Sequence, residues 1–176
     1  MQTEETRALA RELMDRHGLQ DWTLRFDTAK RRAGLCRYDR RLISLSRPLT
    51  ALYTCEQVRE TVLHEIAHAL AGAAAGHGAS WRSIARRIGA SGQRCVDPRA
   101  PTVPAPWVGR CAAGHRHERF RRPTRPMSCM QCSARFSPEH LVHWWFHGRE
   151  VDLGPRYRAE LAHVLRRKRA RRVPVG

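Results

Sequence analysis

Between Cys55 and Ala75 the apolar residues Val58, Val62, Leu63, Ile66, Ala67 and Leu70 recur at helical spacing, and His64-Glu-Ile-Ala-His68 stands in their midst. Thr54 offers an N-cap, and Gly76 and Gly78 break the segment at its far end. The apolar flanks predict a buried helix, which leaves two histidines and a glutamate little purpose on a solvent face. Residues four apart share one helical face, so both imidazoles can reach a single Zn²⁺. Glu65 stands beside them, placed to take a proton from a water that the metal has made acidic. His64 and His68 are therefore read as zinc ligands and Glu65 as a general base. The plainer alternative is a pair of histidines that only hydrogen-bond within a core.

A zinc that does chemistry needs a third protein ligand and an open position. The metzincin pattern would put glycine at 71 and histidine at 74, where this chain has Ala71 and Ala74. His77 is the near candidate. On a continuous helix it would lie about 13.5 Å beyond His68 and about 180° round the axis, out of reach. It joins the site only if the helix ends near Ala75, which Gly76 and Gly78 permit. A carboxylate ligand from the next helix has no source, because residues 78–96 contain no Asp or Glu. His77 is the expected third ligand.

The elements around this helix predict an α+β fold. Thr3 to Arg16 reads as a helix capped by Thr3. Trp22–Phe26, Gly34–Tyr38 and Leu42–Ser46 read as three strands of a small, largely antiparallel sheet. Ser80–Gly89 reads as a further helix with Trp81, Ile84, Ala85 and Ile88 inward. Four prolines between Pro98 and Pro106 then deny the chain both helix and ladder. The expected organisation is a first domain over residues 1–96, a linker over 97–106, a second module over 107–147, and a basic helix and tail over 148–176, with the helix running from Pro155 to Arg169.

The second module carries Cys111-Ala-Ala-Gly-His115 and, after thirteen intervening residues, Cys129-Met-Gln-Cys132. Two short knuckles separated by a loop are the layout of a zinc ribbon with a closed, structural site. His115 is preferred to His117 as its histidine ligand, because Gly114 allows the tight turn. Trp144, Trp145 and Phe146 are read as the apolar body of this module, or its docking contact, in preference to a platform for nucleobases. Cys36, Cys55 and Cys95 have no partner at metal spacing and are read as small buried hydrophobes.

Charge separates the two halves. The 176 residues hold 33 Lys+Arg and 16 Asp+Glu, a formal net charge of +17. Residues 1–98 hold 16 basic and 11 acidic side chains, or +5, and residues 99–176 hold 17 and 5, or +12. Only Lys30 and Lys168 are lysines. A GC-rich genome explains Arg in place of Lys but not the excess over acid. The surplus fits a polyanion partner, such as a nucleic acid. Arg116, Arg119, Arg121, Arg122 and Arg125, with Arg166, Arg167, Lys168, Arg169, Arg171 and Arg172, are the candidate phosphate contacts. No apolar run is long enough for a membrane span. The first twenty residues, with Glu4, Glu5, Glu12 and Asp15, do not read as a signal peptide, so a cytosolic protein is expected, nucleoid-associated if it binds DNA.

Several segments together resemble the SprT-like metallopeptidase domain, the family that includes the Spartan proteases. They are Arg32-Ala-Gly34 with Cys36, Ile43-Ser-Leu-Ser46, Glu60-Thr-Val-Leu-His-Glu-Ile-Ala-His-Ala-Leu70 and Gly76-His-Gly-Ala-Ser-Trp81. The last is the most specific, since HExxH alone is shared by unrelated folds. The resemblance implies His64, His68 and His77 as zinc ligands, Glu65 as general base and peptide-bond hydrolysis. SprT-like proteins often carry a zinc ribbon after the protease domain, and eukaryotic members degrade proteins crosslinked to DNA. The expected function is a zinc endopeptidase acting on DNA-associated proteins. The alternatives are a nucleic-acid-binding or regulatory protein on the same scaffold with little proteolysis, and a zinc hydrolase for a non-protein substrate.

Overall fold

The structure, a computed structural model, describes residues 1–95 and 97–170, with side chains to residue 167. Its chain divides into two compact units, Met1–Val103 and Pro104–Gly176.

The first unit opens with α1 (Thr3–Arg16), whose Ala10, Leu13 and Met14 are buried at helical spacing. The cap is Gln2, in a capping box with Glu5, and not Thr3, which is the first helical residue. Three strands follow: β1 (Thr23–Asp27), β2 (Gly34–Arg37) and β3 (Leu42–Ser46), in the order β1-β3-β2. The expected antiparallel pairing holds for β2 with β3, but β1 pairs parallel to β3. The reason lies in β3. Its Ile43 and Leu45 are fully buried, and so is Ser46, with Ser44 nearly so. A strand covered on both faces takes the centre of the sheet, and inserting it between β1 and β2 makes one of its pairings parallel. The serines are satisfied there: Ser44 Oγ donates to Asp27 Oδ2 at 2.7 Å, and Ser46 Oγ donates to the Ala29 carbonyl at 2.6 Å.

Ser46 also begins α2 (Arg47–Leu52), a helix that the apolar pattern did not announce. Its Oγ accepts the Leu49 N–H at 3.1 Å, with Pro48 in the first turn. Then comes α3 (Cys55–Ala71), held at its start by a Thr54–Gln57 capping box. Val58, Val62, Leu63, Ile66 and Ala67 are fully buried, whereas Leu70 is exposed. The helix ends earlier than expected. Gly72, at φ +81°, stops it after Ala71, a 3-10 turn covers Ala73–Ala75, and Gly76, at φ +49°, turns the chain again. The next helix, α4 (Ala79–Arg87), buries Trp81 and Ala85. Ala100 and Val103, from the proline-rich stretch, also pack against this core. The cysteine expectation fails here: Cys55 and Cys95 are exposed and Cys36 is half-buried. Cys55 is the first residue of α3, on the turn that faces water.

The second unit is a four-stranded antiparallel sheet in the order β5-β4-β6-β7, built from β4 (Trp107–Arg110), β5 (Arg116–Arg119), β6 (His143–Phe146) and β7 (Arg149–Glu150). Trp107, Val142 and Trp144 form its core with Cys111 and Cys129, and Tyr157 of α5 (Pro155–Ala170) joins them. Gly109 makes room: a Cβ there would stand 2.4 Å from Val142 Cγ1 and 2.8 Å from Trp144 Cε3. Trp144 is core as expected, while Phe146 is partly exposed beside Trp107. Among the described residues no helix is long and apolar enough to cross a membrane.

Ser46 serves two buried bonds at once, so Ser46→Ala should cost about 1–3 kcal/mol in a denaturant titration. A loss below a few tenths would show that the strand-to-helix junction does not depend on this hydroxyl.

Candidate metal centres

α3 presents His64 and His68 one turn apart, and the two glycine breaks after Ala71 return His77 to the same face. The three rings meet through their Nε2 atoms: His77 Nε2 lies 3.1 Å from His64 Nε2 and 3.1 Å from His68 Nε2. All three ligand atoms lie within 4.8 Å of one another. Zn–N bonds in a tetrahedral site place neighbouring nitrogens about 3.4 Å apart, close to this spacing. The donor set fits a cation on chemical grounds as well. Three neutral imidazoles turning lone pairs on one point repel each other unless a positive centre receives them.

Electrostatics favour the ligand form. Burial pushes His64 down to about 4, with the charge of His77 adding to the effect, against the Gln93 backbone, which favours the charged ring. Burial, then the charges of His64 and His77, lowers His68 to about 4. His77 is lowered too, by burial and then by Arg94. The three shifts all favour the neutral ring, the form that ligates.

Trp81, on α4, is the floor under the cluster. It is fully buried, and its ring centroid lies 4.7 Å from that of His64, 5.2 Å from His68 and 4.7 Å from His77. On the outer side Tyr38 Oη faces His68 Nδ1 at 3.4 Å. The Arg82 guanidinium donates to the His77 carbonyl at 3.1 Å, holding the returning loop.

Glu65 lies on the adjoining face of α3 and is only 7% exposed. Burial raises its carboxyl to about 7, although the positive Arg32 and the Cys36 backbone N–H both favour the charged form. Gly34 of β2 makes the space for it: a Cβ there would stand 2.5 Å from Glu65 Oε1 and 2.6 Å from its Cγ. The glycine that opens β2 thus has a steric cause, and its sequence signal was the glycine itself at the start of a strand. Tyr38 and the Gln93 backbone carried no such signal, because both reach the site only through the folded loops.

The second cluster joins Cys111, His115, Cys129 and Cys132, with ligand atoms again within 4.8 Å of one another. Cys111 Sγ and Cys132 Sγ are 3.7 Å apart, near the edge of about 3.8 Å that Zn–S bonds set in a tetrahedron. His115 Nδ1 lies 3.5 Å from Cys111 Sγ, 3.2 Å from Cys132 Sγ and 3.5 Å from Cys129 Sγ. His117, the rival ligand, stays outside the group on β5, paired with Gly109. The Cys111 thiol, although burial raises it, is drawn down to about 7 by the backbone N–H groups of His115 and Ala113. Burial and the neighbouring thiols hold Cys132 up, near 12. Cys111 is thus the thiol drawn nearest to its thiolate form at neutral pH, and a bound metal would favour that form further.

The candidate phosphate contacts fare unevenly. Arg116 pairs with Glu118, Arg119 Nη1 reaches Met127 Sδ at 2.7 Å, Arg122 donates to the Asp152 carbonyl at 2.7 Å, and Arg125 lies 3.6 Å from Glu160. Arg121, Arg166 and Arg167 are exposed. The side chains of Lys168 and Arg169, and all of Arg171 and Arg172, lie outside the described residues. The arginine loop is therefore partly committed to holding its own unit together.

The Glu65 carboxyl titrates near 7 when folded and near 4.5 when unfolded, so the folded chain holds the extra proton between those values. Stability from this group is present below pH 4.5 and is lost as pH rises through 7. The metal-free Glu65→Gln variant should therefore equal the wild type near pH 4 and exceed it by about 3 kcal/mol above pH 7.5. Denaturant midpoints measured across this range check it. A gap that does not widen with pH would show that the carboxylate is not charged in a buried place.

The SprT-like family profile matches residues 3–102, more than half of the chain, and spans the histidine cluster and Glu65. No curated protein matches the chain at a significant level, and no solved structure does. The histidine cluster, its buried glutamate and this match lead to one conclusion: the chain belongs to the SprT-like family, whose fold is of metallopeptidase type.

Proposed function

We propose that the protein is a zinc-dependent endopeptidase that acts on proteins bound or crosslinked to DNA. The observation that carries the reading is the pairing of three neutral, converging imidazoles with a buried carboxyl that titrates near 7. A base poised near the working pH both accepts and returns a proton readily. A zinc ion held by His64, His68 and His77 supplies Lewis acidity toward the scissile carbonyl and toward a water.

The chain's own residues do the rest. Glu65 takes the proton of the attacking water and delivers it to the leaving amine. The Cys36 N–H holds the carboxylate in place, and Gly34 leaves it room. Trp81 excludes water from beneath the rings, so their lone pairs stay directed at one point. The Cys111–His115–Cys129–Cys132 group is assigned a structural zinc, and the +12 half that carries it is assigned to DNA. Exposed Arg121, Arg166 and Arg167 are the contacts best placed for phosphate, and Arg116, Arg122 and Arg125 come second because they already hold intramolecular partners.

The test is cleavage of a DNA-bound protein, with and without the DNA. Wild type should cut, and faster with DNA at low salt. Glu65→Gln should lose at least about 100-fold in rate while keeping its zinc and its salt-sensitive DNA affinity. Gly34→Ala should also lose rate and keep zinc, because the methyl displaces the carboxylate. Full activity in Glu65→Gln would remove the base. Cleavage by no form, with DNA bound as before, would favour a binding protein on this scaffold.

A further inference from the structure

The β2–β3 hairpin packs against α3 and meets its functional face at two places. At the start of β2, Gly34 leaves the space that the Glu65 carboxyl fills. At the other end the ladder closes with the Arg37–Leu42 pair, and Tyr38 opens a 3-10 turn, Tyr38–Arg40. Two interactions hold that turn. Arg37 donates to the Asp39 carboxylate through Nε at 3.1 Å and Nη2 at 3.0 Å, and the Arg41 N–H donates to the Tyr38 carbonyl at 3.2 Å. The side chain of Tyr38 reaches α3, where its Oη lies 3.4 Å from His68 Nδ1. The other nitrogen of that ring, Nε2, lies 3.1 Å from His77 Nε2, within the converging group. A neutral imidazole that turns the lone pair of Nε2 on a cation carries its hydrogen on Nδ1. That N–H donates, and Tyr38 Oη accepts. Nδ1 stands across the ring from Nε2, so the hydroxyl meets His68 on the side away from the converging nitrogens.

We propose that Tyr38 is a positioning residue for the histidine cluster: its Oη accepts the His68 Nδ1–H and so fixes that ring's tautomer and direction. The proposal rests on the reading that His68 ligates a metal. A ligating histidine whose other nitrogen donates to a fixed acceptor keeps its lone pair on the metal, and losing such an outer partner typically costs about 10- to 100-fold in affinity. At 3.4 Å the bond is long, which places the expected loss at the lower end of that range. Tyr38 is half-buried, and Phe in its place deletes the oxygen while keeping the ring. One hairpin thus serves both parts of the site. The first residue of β2 accommodates the base, and the residue that follows the strand orients a ligand.

The test is a zinc-buffer titration of the full chain, read on the histidine ring nitrogens by proton–nitrogen correlation NMR. The rings of the histidine cluster and that of His115 give separate signals, so the two metal sites are followed independently. In the wild type, zinc should leave His68 with its hydrogen on Nδ1, and that hydrogen should exchange slowly with water. In Tyr38→Phe the histidine cluster should bind zinc about 10-fold more weakly, while His115 responds to zinc as in the wild type. The His68 Nδ1–H should exchange several-fold faster in the variant, a change that lost packing elsewhere would not produce. Affinity within twofold of wild type, or a loss of affinity with the exchange of that hydrogen unchanged, would overturn the proposal. Should Tyr38→Phe fail to fold by circular dichroism, the wild type decides. Zinc on Nδ1 of His68, or an Nδ1–H that exchanges as fast as a ring N–H of exposed His163, overturns the proposal there. If the three rings show no zinc-dependent change in the wild type, the metal reading itself fails. If they do, and Tyr38→Phe matches the wild type, only the role of Tyr38 is wrong.

Discussion

Three imidazole nitrogens turned on one point, two of the separations being 3.1 Å, form the constraint around which the first unit is arranged. Left to themselves such lone pairs repel, and the rings would swing apart into water. Here they cannot. Trp81 closes the space beneath all three, and α3, which carries two of them, is fully buried along Val58, Val62, Leu63 and Ile66. The third arrives on a loop turned twice by Gly72 and Gly76. Packing energy thus maintains an electrostatic arrangement that only a bound cation makes favourable, which is the usual bargain at a ligand site.

The same burial acts in opposite directions on the two kinds of group. It removes charge from the histidines, drawing His64 and His68 to about 4, and it returns a proton to Glu65, raising it to about 7. One apolar environment therefore yields neutral ligands and a carboxyl balanced between its acid and base forms. Two carboxylates in such a place would repel the arrangement apart. Glu60, one turn earlier on the helix, is turned away to the Ser91 loop.

How much of this the residues announced depends on the kind of signal. The HExxH spacing, read with the helical period around it, located His64, Glu65 and His68, because i and i+4 must share a face whatever the fold. His77 was legible through the glycines that flank it, although the helix was expected to run to Ala75 and stops at Ala71. The Cys111–His115 and Cys129–Cys132 pairs were legible as knuckles; the preference for His115 rested on Gly114, and His115 is the histidine that lies within the group. What escaped were features made by tertiary contact. The parallel β1–β3 pairing follows from which strand is most buried, and local alternation does not rank strands by burial. The α2 helix hides in Ser46-Arg-Pro48, a capping signal too short to have a period. Cys55 and Cys95 were assigned to the interior on residue type alone and are exposed. The arginines between the knuckles were counted as a free surface, yet Arg116, Arg119, Arg122 and Arg125 are engaged with neighbours in their own unit.

The chain thus joins a unit that carries a histidine cluster and a buried glutamate to a more strongly basic one that carries a cysteine–histidine cluster. The central claim is that each cluster holds its own zinc. Zinc content and zinc K-edge absorption on the full chain test it most directly. Two zinc ions per chain are expected, and the averaged first shell should contain both nitrogen or oxygen neighbours at about 2.0–2.1 Å and sulfur neighbours at about 2.3 Å, with the sulfur portion unchanged in His77→Ala. A single zinc with a sulfur-dominated shell, identical in wild type and His77→Ala, would contradict it.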